Sequence, residues 1–439
     1  MIIVQAPVVR PGALSQRFPR GSRLVRLAPF DRTPRPLTPG FFAAADPRVS
    51  FDGARVLFAG KKTADASWQI WEMDTDGSGA RQVTKCANDC LKPAYLPRGL
   101  IVFTAFTAKA KASATSQLWV SNIDGSDAHA ITFGPGDFQV ETVMKNGTIL
   151  ASANSPLLPP SGHPADRELY TVRIDGTSLA TLRCDHGHPA IRSQAQEFDD
   201  GAVVFVKAPL TSQNLGGELC WIRRGALHNA PMAAPMVQAS SPQPLAGHEL
   251  LVSRESPSGT KAGKQLAVYS FDTAAGKFGA PVYQDPKQSA IEAVPVASHQ
   301  SPRWYWSTLN PELQKGYFIC LNSYLAQGFP KDTIPTRLTR VRVLKLDAAT
   351  RHEIPLGEAS VEEDGSFYIA VPPDTPVRFE VLDRAGRVVR AQQSWIWARP
   401  GEERGCVGCH EDRAVAPENR WPMALRRLDT PVPLGVKGQ

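Results

Sequence analysis

"SWQIWEMDTDGSGARQVT" spans Ser67–Thr84 and "SQLWVSNIDGSDAHAITF" spans Ser116–Phe133. Each reads as an alternating strand, an Asp-Gly pair and a second short strand. "RELYTVRIDGTSLATL", Arg167–Leu182, repeats the pattern. Asp-Gly between alternating strands is a hairpin signal, because glycine accepts the positive φ of a tight primed turn. Each hairpin follows another turn and strand: "DPRVSFDGARVLFAG" (Asp46–Gly60), "RGLIVFTAF" (Arg98–Phe106) and "KNGTILASA" (Lys145–Ala153). The first-turn glycines are Gly53, Gly99, Gly147, Gly201 and Gly247, spaced by 46, 48, 54 and 46 residues. The period is near fifty.

Four-stranded units of this length, stacked radially so that each buries its faces on its neighbours, predict a β-propeller. The fold class is all-β: a six-bladed propeller (a seventh blade being the variant count), then a small β-sandwich and a short C-terminal segment. A degenerate sixth unit is expected around "SPRWYWSTL" (Ser301–Leu309) and "GYFICLNSY" (Gly316–Tyr324). "SRLVRLAPFDRTPRPLT", Ser22–Thr38, matches only the second half of a unit, and Asp31 lies 45 residues before Asp76. Pairing this half-unit with the incomplete last blade would remove the exposed sheet edges. Residues 1–21 are then an N-terminal extension, 22–328 the propeller, 336–398 the sandwich and 399–439 a C-terminal segment, read below as the haem segment, with its tail. The unit resembles the TolB-type propeller repeat on "IWEMDTDGSG" and "LWVSNIDGSD", a likeness that speaks to fold and not to function.

Composition agrees. The 439 residues hold 34 glycines and 38 prolines, which favours turns and strands over helices. A net charge of +7 is modest and scattered, without a basic helix or aromatic-studded groove, so nucleic acid is not an expected partner. No stretch approaches the ~20 apolar residues of a membrane helix. After "FPKDTIP" (Phe329–Pro335) come "TRVRVLKL", "GSFYIAV", "VRFEVL" and "RVVRAQQSWIW", separated by "EEDG", "PPDTP" and "DRAG" turns. These are the strands of the sandwich. Trp395 and Trp397 read as core at its exit.

Cys406, Cys409 and His410 in "GCVGCHED" form a Cys-x-x-Cys-His motif, the attachment signature of c-type haem. Two thioethers meet the two vinyl groups on one porphyrin edge, and the adjacent imidazole reaches the iron. The rivals are a thioredoxin-like pair, which wants a βαβ context absent here, and a zinc site. Zinc would need a second ligand pair, for which His186 and His188 in "CDHGHP" are the candidates. Met423 is the methionine beyond the motif that is the candidate distal ligand, against ordinary packing. His299 and His352 are the other histidines considered for that place. Cys86 and Cys90, four apart beside a turn, suit a local disulfide, a zinc half-site or two thiols. Cys320 reads as a core thiol.

"LGEASVEEDGSFYIAVPPDTPVRFEVLDRAGRVVRAQQSWIWARPGEERGCVGCHED", Leu356–Asp412, resembles the middle domain of the hydrazine synthase alpha subunit family. The resemblance implies a propeller before a small β-domain with one c-type haem, and a further domain with a second haem. It carries the anchors onto Cys406 and Cys409 and the motif histidine onto His410. It also implies an iron-ligating tyrosine four residues beyond that histidine, where this chain has Ala414. The sequence ends 29 residues after His410, before any second haem domain.

Thioether attachment takes place outside the cytoplasm, so the expected location is periplasmic or extracellular. "MIIVQAPVVRPGALS" lacks the cationic and apolar regions of a leader, so a true signal peptide is expected to be missing from this chain. The expected function is that of an exported monohaem cytochrome transferring electrons to other redox proteins or subunits. The alternatives are a nitrogen-oxide or hydroxylamine-type redox enzyme subunit, and a propeller binding module with a structural haem or zinc.

Overall fold

A computed structural model describes residues 1–7, 21–28, 33–107, 115–154, 166–183, 189–211, 216–223, 230–231, 238–247, 249–256, 265–347, 352–392, 394–409 and 418–436. The first strands are β1 (Ile2–Ala6), β2 (Arg23–Arg26) and β3 (Arg35–Pro36). Blade one is β4 (Ala43–Val49), β5 (Arg55–Lys61), β6 (Gln69–Asp74) and β7 (Arg81–Gln82). Blade two is β8 (Cys90–Leu96), β9 (Leu100–Phe106), β10 (Ser116–Asn122) and β11 (His129–Ala130). Blade three is β12 (Phe138–Val143), β13 (Thr148–Asn154), β14 (Arg167–Arg173) and β15 (Ala180–Thr181). Blade four is β16 (Ile191–Glu197), β17 (Val203–Ala208), β18 (Gly217–Ile222) and β19 (Ala230–Pro231). Blade five is β20 (Gln238–Pro244), β21 (Glu249–Glu255), β22 (Leu266–Asp272) and β23 (Lys277–Tyr283).

The sixth blade closes the ring. Its inner strand, β24 (Ser289–Val294), pairs antiparallel with β1, with Ile3 opposite Ala293, and β2 and β3 follow outward. The chain's first residues are therefore a buried blade strand and not an extension: Ile2, Ile3 and Val4 are fully covered. The N-terminus thus supplies three strands where the sequence suggested the second half of a unit. "SPRWYWSTL" is not a blade either. It runs as a strap, its neighbour His299 donating its N–H to Phe51 O and Arg303 donating its N–H to Lys145 O. Gly147 needs its positive φ of 83°, and a Cβ there would meet Arg303 O at 2.2 Å.

The inner strands share one device. Register shifts interrupt β4, β8, β12, β16 and β20, and Asp46, Lys92, Gln194 and Ser241 take positive φ within four of them. A bulge turns polar groups toward the channel and toward the next blade. Lys92 N–H donates to Asp46 Oδ2 at 3.1 Å, and Lys92 Nζ lies 3.1 Å from Glu141 Oε1. Ala195 N–H donates to Glu141 Oε2 at 3.2 Å, and Ser241 N–H to Gln194 Oε1 at 2.5 Å. From blade one to blade five, each blade is thus joined to the next around the channel by an acceptor or a charge.

The second domain is a sandwich. One sheet orders β27 (Glu353–Ser360), β26 (Leu338–Leu346), β29 (Val377–Asp383) and β30 (Val388–Ala391). The other orders β31 (Glu403–Cys406), β25 (Gly316–Cys320), β28 (Phe367–Val371) and β32 (Val432–Pro433). The sandwich thus extends beyond residues 336–398 at both ends. "GYFIC", expected in the propeller, is its central strand β25, because Phe318 and Cys320 alternate into the core between the two sheets. The expected haem segment supplies the edge strands β31 and β32. Phe379 joins the halves, edge-on to Phe318 at 5.1 Å and to Phe367 at 6.1 Å.

The sandwich docks on the propeller through the stretch before β31. Trp397, fully buried, sits edge-on to Phe133 and Phe138 of blades two and three, and its indole N–H donates to Gly176 O at 3.3 Å. Trp395 is buried too. The channel gives the first prediction. Glu141, its side chain 3% exposed, faces Lys92, Ser152 and Ala195. Glu141→Ala removes the carboxylate from the largely buried Lys92–Glu141 ion pair and should cost about 3–5 kcal/mol in urea unfolding; a loss under 1 kcal/mol would contradict a structural role for the channel bonds.

Candidate functional site

The motif cysteines sit where β31 ends. Its four residues, "ERGC", pair in parallel with β25, placing Arg404 beside Phe318 and Cys406 beside Cys320. The chain beyond remains tied down. Leu321 N–H donates to Cys406 O at 2.9 Å, Asn322 N–H to Val407 O at 3.0 Å and Cys409 N–H to Leu325 O at 2.8 Å. The Cys406–Cys409 turn is therefore set on the sandwich by backbone bonds at both ends, with both cysteines half-buried and packed against its core. Gly408 is buried at the turn, and Val407 is half-buried.

A shallow, open hollow adjoins this turn, lined by Leu321, Leu325, Val407 and Pro422 and by the polar Asn322, Glu418 and Arg420. Its far wall is the tail, which folds back onto the sandwich. Met423 N–H donates to Asp364 Oδ2 at 2.8 Å, and Ala424 N–H to Ser366 Oγ at 2.9 Å. β32 then adds in parallel to β28, with Val432 beside Ile369. Burial opposes ionisation of Asp364, but the bonds from the Ser366 hydroxyl and the Met423 amide outweigh it, and its carboxyl is held below the ordinary range. Half-buried Met423 is thereby brought to the end of the sandwich that carries the cysteines.

Charge is unevenly placed here. Arg404 reaches away from its strand, donating from Nη1 to Trp397 O and from Nη2 to Leu179 O, both at 2.7 Å. Burial pulls its guanidinium below its ordinary range, against the opposing pull of Glu402 and Cys406. Glu402 in turn accepts the N–H of Ser178 at 2.9 Å and that of Arg399 at 2.8 Å. Arg399 lies 3.3 Å from Asp374 and 4.7 Å from the Phe133 ring centre. The residues just before the motif thus fasten to blades two and three.

The other sequence-selected residues lie apart. His410, Ala414, His186 and His188 fall outside the described residues. His299 is exposed beside Phe51 of blade one, at 5.4 Å between rings. His352 is exposed at the far end of β26 from Tyr324, whose hydroxyl accepts the Leu338 N–H. Cys86 and Cys90 are joined as a disulfide on the connection entering blade two, with Cα atoms 6.3 Å apart. Cys220 is buried in blade four, and burial pushes its thiol up to about 12. Among the described residues, no group of three His, Cys, Asp or Glu side chains is arranged to hold a metal ion. Sequence reasoning did not select Arg404 or Arg420. The signal for Arg404 was its two-residue spacing from Cys406, which matters only once "ERGC" is known to be a strand.

Comparison with known proteins follows the same lines. Residues 337–411 match the family described as the hydrazine synthase alpha subunit middle domain. Hydrazine synthase subunit alpha of Kuenenia stuttgartiensis is 23% identical, over 93% of this chain and 65% of its own length. The chain therefore spans just under two thirds of that curated relative. The solved Kuenenia stuttgartiensis hydrazine synthase superposes with a TM-score of 0.85 at 21% identity, covering 97% of this chain and 71% of that one. That agreement extends to the placement of the sandwich on the propeller, since one superposition covers both.

The tail gives a prediction. Asp364→Ala should speed amide exchange at Met423 about tenfold, for one lost charge-assisted hydrogen bond of about 1.5 kcal/mol. A depressed folded pKa means the anchor holds at neutral pH and is lost as pH falls through that value. In the wild type, the Met423 protection factor should therefore fall only below about pH 4. An unchanged rate in the variant would mean that the carboxylate does not hold the tail.

Proposed function

We propose that this chain, which carries a hydrazine synthase alpha subunit middle domain at residues 337–411, is a monohaem c-type cytochrome subunit of an exported redox assembly. The observation that carries the reading is the Cys406–Cys409 turn. Two half-buried cysteines are fixed by backbone bonds at the edge of the sandwich, beside a hollow lined by apolar Leu321, Leu325, Val407 and Pro422 together with Asn322, Glu418 and Arg420. A haem attached through two thioethers fits this donor set, since it needs two sulfurs at fixed separation and an apolar surface beside them. His410, next in sequence, would hold the iron from the proximal side. When bound, such a haem supplies a one-electron iron couple whose potential the protein sets through ligands, burial and nearby charge.

The chain's own residues have separable tasks. Cys406 and Cys409 would hold the ring, while Leu321, Leu325 and Pro422 would keep water from part of it. Arg420, in the same hollow, is paired with Glu418 at 3.2 Å, so that both charges would stand beside the ring. Met423, brought near by Asp364, is the proposed sixth-ligand candidate. Ala414 stands where the resemblance implies a tyrosine, and alanine carries no ligand atom, so electron transfer requires that the second axial ligand come from elsewhere in the chain. The Cys86–Cys90 disulfide supports a periplasmic or extracellular location, because such bonds persist in oxidising compartments. Among the described residues, no helix is long and apolar enough to cross a membrane. The similarity to one subunit of hydrazine synthase supports other redox subunits as partners.

Visible spectroscopy of the exported protein tests the proposal. Sharp α and β bands on reduction, unmoved by carbon monoxide, are expected for an electron carrier with two strong axial ligands. A high-spin spectrum that shifts with carbon monoxide would favour a nitrogen-oxide or hydroxylamine-type enzyme instead. A protein with no haem, or with zinc in its place, would leave the binding module. Cys406→Ala combined with Cys409→Ala should abolish covalent haem stain while leaving the thermal unfolding of the propeller within about 4 °C of the wild type.

A further inference from the structure

Arg404 presents an unusual balance of charge. Its guanidinium is largely desolvated, and its hydrogen-bond partners are two carbonyl oxygens, Trp397 O and Leu179 O, both at 2.7 Å. Among the described residues, no carboxylate lies within ion-pair distance of it, whereas nearby Arg399 faces Asp374 at 3.3 Å. The aromatic neighbour, Phe318, has its ring centre 5.9 Å from the Arg404 guanidinium carbon. Taking a cation out of water without a directly paired counter-ion is unfavourable, and here two carbonyl oxygens and the more distant Glu402 offset that cost.

Its position says what that is. Arg404 and Cys406 are two apart on β31, so they share a strand face, with Cα atoms about 6.6 Å apart. The partners of the guanidinium belong to the docking segment and to blade three, so the same side chain ties the cysteine strand to the propeller. Planar guanidinium suits this task, since two N–H groups reach two differently placed carbonyls at once.

We infer that Arg404 is a positioning residue, which fixes the cysteine strand against the propeller and keeps a permanent positive charge beside Cys406, so favouring the reduced state of the redox group held there. The inference rests on the proposed haem. A fixed cation near a redox centre stabilises the state with the extra electron, and a partly desolvated one is weakly screened. The propeller then acts on the chemistry of a site it does not itself contain.

The test uses the exported full chain, with covalent haem confirmed by intact mass in every sample. Wild type, Arg404→Gln, Arg404→Met and Arg404→Lys are titrated potentiometrically with redox mediators. Both neutral variants should have a more negative midpoint, seen as an oxidised-to-reduced ratio at least about threefold higher at the wild-type midpoint. Arg404→Lys, which restores charge but not the fork, should recover most of that change. A purely structural role would leave the three variants alike. Should Arg404→Met fail to fold, Arg404→Gln decides, since its amide still donates to a carbonyl. A wild-type midpoint in Arg404→Gln, or a lysine variant as shifted as the glutamine one, overturns the inference while the haem assignment stands. Wild type without covalent haem overturns the proposed function, and this inference with it.

Discussion

Burial of Trp397 between blades two and three is the contact on which the rest of the architecture turns. One indole, edge-on to Phe133 and Phe138, seats the sandwich on the propeller. From there the chain cannot wander. Arg399, Glu402 and Arg404 each find a partner on the propeller within the next seven residues, and β31 then delivers Cys406 beside Cys320. The geometry of the cysteine turn thus depends on a side chain nine positions upstream. Removing an aromatic of this size from a packed interior typically costs about 3–5 kcal/mol, and here the loss would fall on a functional segment.

That seat is only as firm as the ring beneath it. A propeller must close, and this one closes by joining the start of the chain to residues 289–294. The strap over the β4–β5 and β12–β13 turns adds a second tie, and the bonds around the channel add a third. The resulting scaffold is rigid where blades two and three carry the sandwich. A rigid mount suits electron transfer, in which a site gains from fixed ligands and fixed nearby charge more than from movement.

Much of the fold was legible because its signals are local. Asp-Gly turns at Asp76–Gly77, Asp124–Gly125 and Asp175–Gly176 mark hairpins within a few residues of themselves. The failures were non-local. "IIVQA" has no turn residue of its own, its link to β2 is not a tight turn, and its inner partner β24 lies almost 290 residues away, so nothing nearby announces β1 as a strand. "GYFIC" has the texture of a propeller strand, and only the competing partners β28 and β31 assign it to the sandwich. Of the site, the cysteine pair was plain from its spacing. Arg404 was not, since a charged residue before a motif ordinarily reads as solvated surface, and what holds it are carbonyls contributed by residues 179 and 397.

The account stands on covalent attachment at the turn that follows β31. Trypsin cleavage after Arg404 and Arg413 releases the peptide Gly405–Arg413, which contains both cysteines and His410. Mass spectrometry of that peptide from exported protein should find one haem joined through both sulfurs. The same peptide recovered unmodified, with two alkylatable thiols, would contradict the central claim.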